Sequence, residues 1–515
     1  MIFNAQVSKK QVSKTSSLPA PIGGLNARDG LANMPETDAV ILTNWFPETT
    51  SVNIRNGYSE HATGIGDPVQ TLAVYNDGVN QKMFGIANGE VFDVTLAGAV
   101  GSADVTGLTN SQFQYVSFGT AGGFFLMMVN GADKLQYFDG TNWDVDGGGT
   151  YTITGVDTAT CNNINNFKNR IWLIEENSLS AWYLPVASIA GAATELDLSG
   201  LFKLGGYLVT MANWTIDNAA GIDDYAAFVT SEGEVALYKG TDPSSANTWA
   251  LIGTFRVGKP IGKRCAIKAG ADVLLLTEDG AFPLSKSLLT DRGQQNSAIT
   301  DKISQLFLED SRAYKSNFGW QPIIYPTGNK LVINIPSIEG SESHQYVMNI
   351  ITGAWCKFTG WNAFCFVELN GSLYFGGDGV VYLCDSGQSD NNNDIETNAQ
   401  QAFSYFGTKG QQKRFTMVRP VFQSEGNLTP ALYLNVDYSN KSTNNAPAYS
   451  ASAGSEWDVA EWDVAEWTTG DRVLRRWQTV TGVGYSGGLR IKTNVKNIGC
   501  KWQSTDFVYE VGGVL

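Results

Sequence analysis

One recurring unit constrains this chain more than any other feature: an apolar or alternating run, a tight Gly/Asn/Asp turn, and a second run that often ends near a Trp. It recurs at 82–95 (KMFGIANGEVFDVT), 123–145, 169–185, 225–255, 273–285, 330–360 and 364–385. The turns fall at pairs such as Asn88-Gly89, Asn130-Gly131, Asp139-Gly140, Asn370-Gly371 and Asp378-Gly379. Such a pair suits a type I′ turn, with positive φ at both central residues, whose twist matches that of two antiparallel strands. Parallel strands would instead need helical crossovers. Between residues 61 and 398 there are about seven such units, roughly one every 48 residues, which is the spacing of radially repeated blades. The expected fold class is all-β, with a β-propeller of about six or seven irregular blades. A sandwich fits so many evenly spaced hairpins less well.

Helical patterning is sparse. The best stretch is 297–316, SAITDKISQLFLEDSRAYKS, with Thr300 or Asp301 as cap and Ile303, Leu306 and Phe307 on one face. It is expected to lead from one blade to the next. Residues 1–60 read as an N-terminal arm and lead-in, polar and Lys-bearing over 1–17, then dense in Pro, Gly and Asn around one apolar run, Ala39–Trp45. The asparagine-rich 389–401 marks the end of the 61–398 propeller. Short alternating runs over 399–515 predict a C-terminal β-sandwich. Within it lies the direct repeat EWDVAEWDVAEW, 456–467. A five-residue period matches neither a helix face nor a strand face, so Trp457, Trp462 and Trp467 cannot all line one side of a regular element. They are candidates for a partner interface, where Trp is favoured; the alternative is that the indoles cover their own sandwich.

The formal charge is −15, with residues 1–398 carrying 23 Lys/Arg against 40 Asp/Glu and 399–515 carrying 12 against 10. Phosphate-gripping nucleic-acid binders need clustered Lys/Arg, so tight DNA binding is not expected. The densest basic cluster of the acidic part is Lys259, Lys263, Arg264 and Lys268, a candidate contact with a DNA channel or a neighbouring subunit, or otherwise a solvated face. The six cysteines contain no CxxC pair and read as buried hydrophobes, and with only His61 and His344 there is little for His-based chemistry. GTFRVGKP, 253–260, approaches a phosphate loop, but Pro260 replaces the hydroxyl residue that would hold Mg²⁺. Asp144 and Asp146 in WDVDGGG lack the bidentate Glu of a calcium loop. TNWD and ANTW only faintly echo the aspartate box of sialidase propellers, and no pair of carboxylates is singled out for glycoside hydrolysis. The expectation is a protein that is not an enzyme, with no catalytic residues, no cofactor and no metal. There is no apolar run of about 18 residues to span a membrane and no signal-peptide core, so synthesis in a cytoplasm is expected.

The opening PIGGLNARDGLANMPETDAVILTNWFPETTSVNIRNGYSEHATG resembles the start of virion proteins of short-tailed bacteriophages: a Gly-Asn/Arg-Asp stretch (Gly24 to Asp29), then NWFP (Asn44 to Pro47), then R-x-GY (Arg55 to Tyr58). The segment GAWCKFTGWNAFCFVELNGSLYFGGDGVVYLCD and the ending from Arg472 to Trp502 are similar to the tail hub, also called nozzle or packaged-DNA stabilisation, proteins of that group. The resemblance covers the lead-in, the last blades and the C-terminal region, while 60–350 matches in texture only. It implies a homo-oligomer, a hexameric ring of propeller subunits in the virion tail. That ring would sit below the portal and adaptor proteins and above tail spike or needle proteins, lining the DNA exit channel with transient, non-specific DNA contact. A weakly basic or acidic wall would let DNA slide without sticking. Two other functions stay open from the residues: a receptor-binding propeller that recognises glycans, and a glycoside-hydrolysing propeller.

Overall fold

The computed structural model describes residues 13–218, 221–289, 298–426, 428–442, 447–450 and 472–512. They fall into two compact units. One comprises Tyr58–Tyr346 and Thr359–Asp385; the other comprises Met1–Gly57, Val347–Phe358 and Ser386–Leu515.

The larger unit is a β-propeller of seven antiparallel sheets. Blade 1 is Thr71–Asn76, Gln81–Ala87 and Glu90–Asp93; blade 2 is Gln114–Thr120, Gly123–Val129, Gln136–Phe138 and Trp143–Val145. Blade 3 is Cys161–Phe167, Arg170–Glu175, Ser180–Tyr183 and Thr194–Asp197; blade 4 is Leu208–Asn218, Gly221–Thr230, Glu234–Gly240 and Trp249–Arg256. Blade 5 is Ala266–Ala269, Asp272–Thr277 and Gly280–Pro283, and blade 6 holds Gln321–Tyr325, Lys330–Ile338 and the strand that starts at Glu342. Blade 7, Cys365–Leu369, Ser372–Gly376 and Val381–Cys384, is completed by Tyr58–Thr63 from the other end of the propeller sequence, paired antiparallel with Val381–Cys384. The first strand of each blade packs on the first strand of the next, all the way from blade 7 back to blade 1, so the ring is closed.

Period 2 explains why these strands read as nearly continuous apolar runs. Phe125, Met127 and Val129 of blade 2 face the core shared with blade 3, while Leu126 and Met128 face the core shared with blade 1. Likewise Leu72 and Met83 of blade 1 pack toward blade 7, and Ala73 and Phe84 toward blade 2. A blade buried on both faces has no polar side to alternate with.

The Asn-Gly turns behave unequally. Asn88 and Gly89 have φ of 48° and 73°, and Asn370 and Gly371 have 51° and 73°, the two positive angles of type I′. At Asp139-Gly140 only Gly140 is left-handed, with φ 98°. There the Asp139 carboxylate accepts the N–H groups of Thr141 (2.8 Å) and Asn142 (2.6 Å), making an Asx turn. Blade 3 turns through Lys168 and Asn169, both left-handed, with no glycine to announce it. The expected helix is Ser304–Tyr314, preceded by a 3₁₀ turn at Asp301–Ile303, and it connects blades 5 and 6. Ile303 and Phe307 are buried and Leu306 is half-buried. Thr300 makes no cap; its hydroxyl accepts the N–H of Ala281 in blade 5.

The smaller unit is a pair of sheets. One runs Arg472–Arg475, Lys413–Ser424, Cys500–Val511, Val52–Ile54, Trp45–Pro47, with Ser13–Pro19 also paired along Cys500–Val511. The other contains Asp38–Thr43, Ile395–Gln401, Gly487–Lys496 and Ala431–Val436 in that order. Gly482 and Gly487 sit where the sheets approach: a Cβ on Gly482 would lie 2.9 Å from Val436, and one on Gly487 2.9 Å from Phe415. The lead-in is therefore interleaved with the C-terminal strands, strand by strand, where the sequence had been divided at 60 and 398.

Candidate functional site

A cavity of about 530 Å³ lies on the propeller axis, lined by the first strands of all seven blades. No backbone ladder joins one first strand to the next, so their axial N–H and C=O groups need other partners. Side chains supply them. Asn165 donates to the Met211 carbonyl (2.7 Å), bridging blades 3 and 4. Gln321 donates to the Phe366 carbonyl (2.9 Å) and accepts the Phe366 N–H (3.0 Å), bridging blades 6 and 7. Ser117 donates to the Val74 carbonyl (2.8 Å), bridging blades 2 and 1. This gives a physical reason for CNNINNF, 161–167, a strand with four asparagines that strand propensity disfavours. The run of asparagines in a first-strand position was the signal in the sequence.

Three of the four cluster cations line this cavity: Lys263, Arg264 and Lys268. Lys259 does not; it pairs with Glu232 at 2.6 Å. Arg264 lies in the turn before the first strand of blade 5 and reaches the two blades farthest from it around the ring. Its guanidinium donates to the Gln70 carbonyl (3.2 Å) and the Thr71 hydroxyl (2.8 Å) of blade 1, and to the Phe113 carbonyl (3.2 Å) at blade 2. It also stands 5.0 Å from the centre of the Phe318 ring. Its pKa is lowered by burial, although part of its surface opens on the cavity. Lys263 lies 3.7 Å from Glu176, and Lys268 is exposed. The one carboxylate in the lining is Glu368.

A volume of 530 Å³ corresponds to a cube about 8 Å on edge, narrower than the ~12 Å major groove of a duplex. It admits water, ions or a small molecule.

The remaining sequence candidates fall as follows. GTFRVGKP is part of the outer strand of blade 4 and the connection after it, with Pro260 bridged to Thr277, and no helix begins there. Asp144 accepts the N–H groups of Val145 and Thr150, and Asp146 accepts from the Ile153 N–H and the Thr158 hydroxyl, so both organise the loop before blade 3. Among the described residues no three His, Cys, Asp or Glu side chains converge as a metal set. Also among them, no helix is long and apolar enough to cross a membrane. Trp457, Trp462 and Trp467 lie outside the described residues. His344, named above as one of two histidines, has its Nε2 2.9 Å from Asp310 on the connecting helix, the same carboxylate that accepts the Tyr346 hydroxyl at 2.7 Å, a contact that the sequence does not announce.

No family model matches this chain, and no curated protein matches it. Among solved structures it is similar to BBS1N in complex with ARL6DN, soaked with mercury, at 9% identity and TM-score 0.39, covering 64% of this chain and 98% of that one. The lead-soaked form of that complex gives 8% identity, TM-score 0.40, and 65% and 99% coverage. Raptor of Chaetomium thermophilum gives 8% identity, TM-score 0.38, and coverage of 65% of this chain and 30% of that one. At such scores the assignment as a propeller rests on the closed ring of seven sheets itself.

Proposed function

We propose that this chain is a non-enzymatic structural protein of a short-tailed bacteriophage virion: a tail hub subunit that, as a hexameric ring below the portal and adaptor, surrounds the exit channel, retains packaged DNA and passes it during ejection. The observation that carries the reading is what the residues of the resemblance do. Asn44, at φ 58°, accepts the Arg55 Nε at 2.9 Å, and Arg55 makes a buried two-pronged pair with Asp390 at 2.7 and 2.6 Å. Trp45, fully buried, packs edge-on to Trp502 and stacks on Phe422. The lead-in motifs and the C-terminal motif thus hold one another in a two-sheet body, so the resemblance rests on residues that determine a fold. A closed ring with few free strand edges is stiff and resists edge association, as a pressure-bearing part needs. The axial cavity is too small for duplex DNA, so the exit channel in this proposal is the opening between subunits.

The test is quantitative mass spectrometry of purified virions against the major capsid protein. A low, fixed copy number matching one ring at one vertex is expected; absence from virions overturns the reading.

A further inference from the structure

We propose that the axial cavity is a binding site for a small phosphate-class oxyanion, held between Arg264, Lys268 and the Gln114 amide. Arg264 has no carboxylate partner among the described residues; its bonds run to two carbonyls and a hydroxyl. The ionisable groups nearest to it give no countercharge. Burial pushes the Tyr115 phenol up to about 12 and the Cys365 thiol up to about 11, so both stay neutral at physiological pH. A guanidinium inside a protein with no anion beside it is costly, and such charges are ordinarily paired.

A second, independent observation points the same way. Gln114 Nε2, in the same lining, is a buried donor with no acceptor. Unsatisfied buried polar groups are few in folded proteins, and an acceptor-rich ligand would satisfy this one. In the same lining Asn213 leaves its carbonyl oxygen unpaired, which suits a ligand that still carries one hydroxyl proton, as hydrogen phosphate does. The lining holds three cations and one carboxylate, Glu368, with Lys263 also 3.7 Å from Glu176. The volume lies within the ~300–1,000 Å³ typical of small-ligand sites. An anion here would tie blade 5 to blade 2 through the axis and brace the ring. The inference does not depend on the tail assignment.

The test is thermal unfolding and titration calorimetry of the full chain with inorganic phosphate, at constant ionic strength set by chloride. A saturable rise in Tm and a stoichiometry of one per chain are expected, with affinity falling at least tenfold in Lys268→Gln and in Gln114→Leu. Both variants leave the Arg264 bonds intact, so they test binding without testing folding. A Tm that follows ionic strength alone overturns the proposal, and so does equal phosphate affinity in the wild type and both variants.

Discussion

Single residues in this protein act mostly through backbone geometry and through buried charge. Gly89 shows the first: its φ is 73° and a Cβ would fall 2.1 Å from the Leu108 carbonyl oxygen. Gly78 has φ 88° but nothing within 4 Å. Gly78→Ala should therefore cost only the conformational penalty, about 1 kcal/mol. Gly89→Ala should cost several times that, because backbone must also move, and urea unfolding of the two variants side by side measures the difference. Arg55 shows the second. With its side chain fully buried against Asp390, Arg55→Ala leaves a carboxylate without its partner and should cost about 3–5 kcal/mol by denaturant unfolding. An Arg55→Ala loss below about 1 kcal/mol would mean that the pair is hydrated in solution.

At the scale of elements, the ring depends on a strand that comes from the far end of the propeller sequence. Tyr58–Thr63 is the outer strand of blade 7, and Ala62 is fully buried in the core that blades 7 and 1 share with Val367 and Val381. Ala62→Asp puts an unpaired carboxylate there and should unzip the closure before the other blades. Limited proteolysis should then cut first near 58–63 and 381–384, while uniform cutting across the blades would show that closure is not the weak point. The helix Ser304–Tyr314 is fastened differently, through Asp310 to His344 and Tyr346 of blade 6. Asp310→Ala removes the carboxylate that both the Tyr346 hydroxyl and His344 Nε2 contact and should cost about 1–3 kcal/mol, read by denaturant unfolding.

For the whole molecule the six cysteines report on integrity. All are buried free thiols. Burial raises Cys161 and Cys265 to about 12 and Cys365 to about 11, from an ordinary thiol value of 9.0. The folded chain keeps protons that the unfolded chain would release, so this contribution to stability is complete below pH 9.0 and is lost as pH rises toward about 12. Unfolding midpoints in urea should fall steadily across that window, and thiol reagents should label the native chain only as fast as it opens. Rapid labelling of the native protein at neutral pH would contradict the burial of these side chains.

The sequence determined the architecture because its signals are local. Alternation, β-branched and aromatic runs and Asn-Gly turns each act over a few residues, and each hairpin read from them is the nucleus of one blade, from 82–95 in blade 1 to 364–385 in blade 7. The helix at 304–314 was legible for the same reason, whereas its cap was not, since Thr300 bonds to blade 5 rather than to the helix. What required the tertiary structure joins residues far apart in the chain. Arg55 meets Asp390, Ser13–Pro19 pairs with Cys500–Val511, and Tyr58–Thr63 closes on Val381–Cys384. Arg264 reads in sequence as one of four clustered cations. Only the closed ring carries it to the axis, beside Gln70, Thr71 and Phe113, with no carboxylate paired to it among the described residues. Pattern fixes what each segment becomes; which segments meet is decided by the packing of faces that period 2 leaves apolar on both sides, and that packing is a property of the assembled ring.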